Sequence, residues 1–167
     1  MANEYPILDG IAPSWADLTV TIKAYAGGEE IEVKDIAAIN SGVTVEVGEQ
    51  RGTGGRMRRR TRGQGSYEGS IEFYRAGYQK FLRMLASVAP LEGGERVVSL
   101  VHFDVFVQHI LPESSDDPEI YGYKIMGARG LGRQMNSAEG VDADKVEVPL
   151  SVGKIVDVID GNPIRWI

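Results

Sequence analysis

The sequence contains no cysteine, and only two histidines occur among its 167 residues. The absence of cysteine excludes disulfides, thiolate metal sites and a cysteine nucleophile, and it fits folding in a reducing cytoplasm. His102 and His109 stand seven residues apart, which would place them on opposite faces of a strand and prevent them from sharing a metal ion. No serine stands in a nucleophile-elbow setting, and only these two histidines could act as a base. We therefore expect no enzyme activity, no metal and no cofactor.

Long hydrophobic runs are also missing. The longest apolar-rich stretch, Val97 to Leu111, is too short to span a bilayer and is interrupted by His102, Asp104 and Gln108. Residues 1–4 lack the basic and apolar regions of a signal peptide. The composition, with 43% hydrophobic and 25% charged residues, is that of an ordinary globular protein, and the length suits one domain. We expect a single domain over residues 1–167 with no membrane partner.

The charge is divided unevenly along the chain. The net charge is −6, yet residues 51–62 contain six arginines and no acid. Removing these six from the 18 basic residues leaves 12, against 24 acidic ones. A protein with an acidic body and one concentrated basic segment is suited to head-to-tail contact between identical copies. The six arginines are Arg51, Arg56, Arg58, Arg59, Arg60 and Arg62.

Strand patterns dominate the first half of the chain. Leu18 to Tyr25 and Ile31 to Lys34 alternate apolar and polar residues on either side of Gly27-Gly28, which predicts a β-hairpin. Val43, Val45 and Val47 predict one face of a third strand, with Thr44 and Glu46 on the other face. A fourth strand, Tyr67 to Tyr74, places Tyr67, Ile71 and Phe73 on one face and Glu68, Ser70 and Glu72 on the other.

One helix and three more strands follow. Tyr78, Phe81, Leu82 and Leu85 form the apolar stripe of an amphipathic helix over residues 75–88, and Pro90 ends it. Further strands are predicted at Val97 to His109, Ile120 to Arg129 and Lys145 to Ile155. The polar face of the first of these is mixed, which favours contact with a neighbouring subunit. The pattern predicts a mainly β fold, an antiparallel β-barrel or sandwich with one packed α-helix.

The arginines belong to a long predicted loop, Gly48 to Gly65, which also holds six glycines. Clustered arginine could neutralise nucleic-acid phosphates, but residues 51–64 offer no aromatic side chain on which bases could stack. The arginines could instead pair with carboxylates of an identical neighbour. A third interpretation is a solvated, mobile loop. The residues alone leave all three open.

The order of these segments resembles that of phage tail tube proteins, whose fold is shared with the inner-tube proteins of type VI secretion and contractile injection systems. A valine-alternating strand leads into the long loop, and the next strand leads directly into the helix. The resemblance covers about residues 17–160. It rests on segments at Thr61–Gly65, Ser70–Tyr74, Arg75–Leu82, Tyr123–Gly127, Ser137–Asp144 and Val146–Leu150.

The resemblance implies a structural subunit that forms hexameric rings, stacked head to tail into a hollow conduit for DNA delivery into the host. Strands from each copy would join into one barrel around the channel, with the helix outside. The loop at residues 48–65, an N-terminal arm at residues 1–16 and a C-terminal segment at residues 156–167 would contribute contacts. Sheath, baseplate and tail-terminator proteins would be further partners. The location would be the virion, a contractile tail being favoured, after assembly in the host cytoplasm.

A channel through which DNA passes without specific binding should be acidic, because it should not hold phosphates. Glu46, Glu68 and Glu72 alternate with apolar residues on two predicted strands, so we expect them to line this channel. The alternative functions are the inner tube of a contractile injection or type VI secretion system, which carries protein cargo, and a nucleic-acid-binding domain that uses the arginine loop.

Overall fold

A computed structural model describes residues 18–51, 53–55, 57–61, 65–109, 121–137 and 144–166. The predicted N-terminal arm therefore lies outside the described residues, as do Arg56 and Arg62. Within this part of the chain there are fourteen strands and one α-helix. They are β1 (Leu18–Ala24), β2 (Ile31–Val33), β3 (Ile36–Val45), β4 (Gly48–Arg51), β5 (Met57–Thr61), β6 (Gly65–Tyr74), α1 (Arg75–Val88), β7 (Leu91–Glu92), β8 (Glu95–Arg96), β9 (Phe103–His109), β10 (Tyr121–Gly130), β11 (Gln134–Asn136), β12 (Lys145–Ser151), β13 (Lys154–Ile159) and β14 (Asn162–Ile164).

Ten of these strands form one antiparallel sheet that folds back on itself at β10. The first half, called sheet A here, has the order β2-β1-β9-β10-β13-β14. The second half, sheet B, has the order β3-β6-β12-β11. A bulge between Ile125 and Ala128 turns β10 out of sheet A, so that Arg129 pairs with Ser151 in sheet B. The mainly β architecture with a single packed helix is confirmed.

The core lies between the two sheets and under the helix. Alternate residues of β1 and β9 point into it, among them Ile22 and Val105, because successive side chains of a strand face opposite sides. Ile71 and Phe73 of β6 meet them from sheet B. The alternation that predicted the first hairpin and the fourth strand is confirmed, with β1 paired to β2 and the apolar face of β6 buried.

Helix α1 spans the predicted residues 75–88 and buries Tyr78, Phe81 and Leu85 of the predicted stripe together with Met84, while Leu82 is partly buried. Its Phe81 ring stacks on Phe73 at 4.9 Å and meets Phe103 edge-on at 5.3 Å, which are favourable geometries for aromatic pairs. The helix runs beside β2 and the turn after it. A Cβ atom at Gly77 would collide with the backbone carbonyl of Asp35, so glycine is what permits this close approach.

Two predicted strands are corrected by the structure. Val97 to His109 is not one strand, because Val98–Leu100 forms a 3-10 turn and β9 begins only at Phe103. The carbonyl of Ser99 in this turn accepts a hydrogen bond from Arg129 Nε, a long-range contact that local alternation cannot reveal. Lys145 to Ile155 is two strands, because the chain crosses from sheet B to sheet A at Val152-Gly153. Gly153 lies tightly against the Met126 carbonyl there.

The third strand and the arginine segment also differ from the prediction. β3 begins at Ile36 and ends at Val45, so Glu46 and Val47 lie beyond it. The predicted loop, residues 48–65, contains a two-stranded antiparallel hairpin in which β4 pairs with β5, and its last residue begins β6. Gly54 and Gly55 adopt positive φ angles of 90° and 75° in its turn, a conformation that glycine tolerates without strain. The predicted C-terminal segment holds the end of β13 and all of β14.

Candidate assembly surfaces

The polar face of sheet B is acidic. Glu68 and Glu72 lie on β6, one on either side of Ser70, and their side chains leave the core face that carries Ile71 and Phe73. Strand pairing brings Glu147 of β12 directly opposite Glu72. Two of the three glutamates predicted for the channel therefore share one surface. Glu46 is exposed but lies past the end of β3, outside the paired strands.

Glu147 was missed by the sequence reasoning, although Lys145 to Leu150 alternates polar and apolar residues and could have indicated it. Like charges placed directly opposite each other on neighbouring strands destabilise a sheet. The Glu72–Glu147 pair is therefore a cost to the isolated subunit.

The arginine hairpin, defined here as residues 48–61, extends from the end of β3 and leads back to β6. Arg51 and Arg60 are exposed on its two strands. Arg51 Nη2 lies 3.6 Å from Glu49 Oε2, and Glu49 is the strand partner of Arg60. Arg58 and Arg59 lie on β5 between Met57 and Arg60. The hairpin brings four of the predicted arginines onto two adjacent strands.

One edge of sheet B is open. Within the described residues β3 pairs only with β6, so its other edge presents unpaired backbone groups along a ten-residue strand. Beside this edge the two sheets separate and leave a groove of about 360 Å³. Trp166 stands at the groove with its side chain largely exposed, and its indole N–H donates a 2.9 Å hydrogen bond to Asp157 Oδ2. The groove is lined by Ser41, Val43, Tyr123, Ile155, Asp157 and Trp166.

The opposite edge of sheet B carries exposed apolar residues. The short strand β11 pairs with β12 alone among the described elements. The backbone N–H of Leu131 donates to the Pro149 carbonyl at 2.9 Å, which holds the chain against β12 while the Leu131 side chain stays exposed. Met135 on β11 is exposed as well. Both edges of this sheet thus offer apolar surface to a partner.

In the described part of the chain, no group of three histidine, aspartate or glutamate side chains is arranged to hold a metal ion. The described helix is too short and too polar to cross a membrane.

No protein-family model matches this chain, and no curated protein sequence matches it. Several chains of known structure do match. A chain from the cryo-EM structure of the anti-feeding prophage baseplate has a TM-score of 0.58 at 13% identity and covers 90% of this chain and 97% of its own length. A chain from the sheath/tube terminator of an extracellular contractile injection system has a TM-score of 0.58 at 13% identity, covering 93% and 99%. Hcp1 from E. coli EAEC 042 has a TM-score of 0.52 at 11% identity, covering 90% and 99%.

These matches extend over nearly the whole of each chain. The protein therefore has the tail-tube-like fold. The resemblance seen in the order of sequence segments is confirmed at the level of the fold, and at these identities the likeness concerns the fold alone.

Proposed function

We propose that this chain is the structural subunit of a bacteriophage tail tube, in which hexameric rings stack head to tail into a hollow conduit for DNA. The observation that carries the proposal is sheet B, whose two edges are unpaired among the described residues and whose polar face carries glutamates, within a tail-tube-like fold. Neither feature serves an isolated subunit. Both become useful when several copies close their sheets into one barrel.

The open edges support ring formation. A long free strand such as β3 is a template for unwanted pairing unless another strand or element covers it. A barrel that is closed across copies removes both edges at once, since the β3 edge of one copy meets the β11 edge of the next. Two different edges are in contact, so the association is heterologous and closes by rotation into a ring.

The acidic face supports a channel for DNA. In a barrel built from sheet B, the polar face that carries Glu68, Glu72 and Glu147 would line the channel, with Glu46 near its end. Negative charge repels the phosphate backbone, so DNA would pass without being held. The arginine hairpin would reach the next ring, where arginine side chains would pair with carboxylates.

A second candidate is the inner tube of a contractile injection or type VI secretion system. It is favoured by the structural neighbours, which come from an anti-feeding prophage and an extracellular contractile injection system. The tube would then carry protein cargo in place of DNA, with the same self-association and with sheath, baseplate and terminator proteins as partners. The acidic face bears on the choice between a DNA tube and a protein tube only through the charge of the cargo, because DNA is always negative and a protein need not be.

Light scattering and negative-stain electron microscopy of the purified chain over a range of concentrations test the proposal. We expect particles of six 18.2 kDa subunits that become rings or tubes at raised concentration. A chain that stays monomeric at every concentration would rule out a tube. A reconstruction that places Glu68 and Glu72 on the outer wall would overturn the channel assignment and leave the tube intact.

A further inference from the structure

Two surface features with apolar side chains lie at opposite edges of sheet B. The first, called the edge knob here, consists of Leu131, Arg133 and Met135, which follow the end of β10 and enter β11. Leu131 is 66% exposed and Met135 is 49% exposed, large values for apolar side chains. The second, the edge groove, is the 360 Å³ opening between β3 and β13 that Trp166 flanks.

We propose that the edge knob of one copy docks into the edge groove of the next copy in the same ring. The inference rests on the proposed function, because it names the surfaces through which tube subunits would meet side by side. Its occupant is a second copy of this chain. The two surfaces differ, so each copy uses one with its left neighbour and the other with its right neighbour.

The chemistry of the two surfaces matches. The groove offers Val43, Ile155 and the rings of Tyr123 and Trp166 to the apolar side chains of the knob. Arg133 is exposed on the knob and forms no ion pair with the described residues, whereas the groove carries the carboxylate of Asp157. The knob therefore brings a cation to a groove that holds an anion, with apolar contacts on both sides of it.

The edge knob of a chain cannot contact the edge groove of the same chain. Strands β6 and β12 separate β3 from β11, so the two edges are three strand spacings apart, or about 14 Å. The knob lies at the β11 edge and the groove lies at the β3 edge. Only another copy can bring Met135 beside Ser41.

Disulfide trapping tests this contact directly, because the chain has no native cysteine. Four double variants combine Ser41→Cys or Val43→Cys with Leu131→Cys or Met135→Cys. A disulfide needs Cα atoms within about 7 Å, so the edge separation prevents a bond inside one chain. We expect oxidation of at least one pair to produce a series of covalent oligomers up to a closed ring. Reduction should return these oligomers to monomers.

The matched control replaces the groove partner with a position elsewhere. Leu91 is apolar and 62% exposed, but it lies on the β7–β8 hairpin. Leu91→Cys combined with Met135→Cys should give no ladder under the same oxidation. A ladder of equal yield from this control would show that collisions, and not docking, form the bonds, and it would overturn the inference.

Substitution without cross-linking provides a second readout. Leu131→Ser combined with Met135→Ser should leave the thermal unfolding midpoint of the subunit unchanged, because both side chains are exposed, and reduce the ring fraction at least tenfold. Leu91→Ser should leave ring formation intact. Arg133→Asp should weaken rings, and the further change Asp157→Arg should restore part of the loss, which a merely structural role of Arg133 would not produce.

The outcomes separate this inference from the proposed function. Rings that form without any cross-link, and that survive the Leu131→Ser, Met135→Ser double variant, would overturn the docking of knob and groove and leave the tube standing. A parent chain without rings at any concentration would overturn the proposed function, and the docking with it.

Discussion

The two sides of the β-sandwich differ in what covers their edge strands. Along β2 the edge of sheet A is sealed by helix α1, where Lys80 Nζ donates a 2.6 Å hydrogen bond to the Glu32 carbonyl and Gly28 lies against Val88. Along β3 the edge of sheet B is open as far as the described residues go, and Trp166 flanks the groove beside it. The sealed side has its partner within the chain. The side along β3 has no such partner among the described residues.

The aromatic residues show the same contrast. Phe81 on the sealed side is 2% exposed and contacts two other buried rings, whereas Trp166 on the open side is 73% exposed and makes a hydrogen bond to Asp157. Buried aromatic area stabilises the subunit, and exposed aromatic area is available for association. The difference predicts that the stability of the subunit and its association depend on different edges, which can be tested separately.

The largest expected effect is a loss of unfolding free energy from a substitution in the core beneath helix α1. Phe81→Ala removes a ring between Phe73 and Phe103, and such truncations lower the free energy of unfolding by about 3–5 kcal/mol through lost burial and a cavity. Trp166→Ala is the matched change on the open side, where we expect less than about 0.5 kcal/mol. Urea denaturation of both variants measures the contrast. Equal losses would contradict the division between the two edges.

Substitutions in the arginine hairpin, which follows β3, should change the stability of the subunit little and its assembly strongly. Replacing Arg58, Arg59 and Arg60 with glutamate leaves every residue of the described core unchanged, so the unfolding midpoint should stay near that of the parent. Stacking of rings should stop, because like charges would then face each other across the ring interface. Exposed pairs contribute only about 0–1 kcal/mol each, so the reversal of three charges acts mainly by repulsion. Sedimentation and electron microscopy of the variant measure this.

The control for this variant reverses three exposed cations elsewhere, Lys23, Lys34 and Arg83. Tubes should persist in the control. If tubes persist equally in the arginine variant, the hairpin is not the stacking element. Titration of duplex DNA at low and high salt would then test the nucleic-acid interpretation, since phosphate contacts weaken steeply with salt.

The smallest expected effect concerns Tyr25, at the end of β1. A hydrogen bond to the Asp104 carboxylate, followed by burial and the charge of Asp104, raises the pKa of the Tyr25 hydroxyl above its ordinary value of 10.0. The folded pKa is higher than the unfolded one, so this stabilisation is fully present below about pH 10 and is lost as the pH rises through the folded pKa. We expect the free energy of unfolding to fall less steeply above pH 10 in Tyr25→Phe than in the parent. Alkaline denaturant titrations measure it, and identical slopes would contradict the prediction.

Local periodicity was sufficient for part of the fold. The β1–β2 hairpin and helix α1 were predicted within one or two residues, because the apolar spacing, Gly27-Gly28 and Pro90 act on neighbouring residues. The break at Val152-Gly153 was missed because apolar residues continue from β12 into β13, and it is the different pairing partners that separate the two strands. The β4–β5 pairing was missed because arginine and glycine predict a loop, although Met57 to Thr61 can pair with β4.

The candidate surfaces were also predicted only in part from the sequence. The sequence predicted Glu68 and Glu72 as neighbours on one face, since residues four apart on a strand share a side. It could not predict that Glu147 lies opposite Glu72, because register between distant strands depends on the whole sheet. The groove combines residues from three strands and Trp166 from the C-terminal end, so no single segment of sequence contains its pattern.

The sequence by itself determined the buried faces of β1, β6 and helix α1, that disulfides are excluded, and where negative and positive charge concentrate along the chain. These properties follow from side-chain chemistry and from periodicity over a few residues. Only the tertiary structure decided which edge the helix covers and which edge stays open. That choice depends on Gly77 fitting against the Asp35 carbonyl and on β10 crossing between the sheets at its bulge, contacts between residues far apart in the sequence.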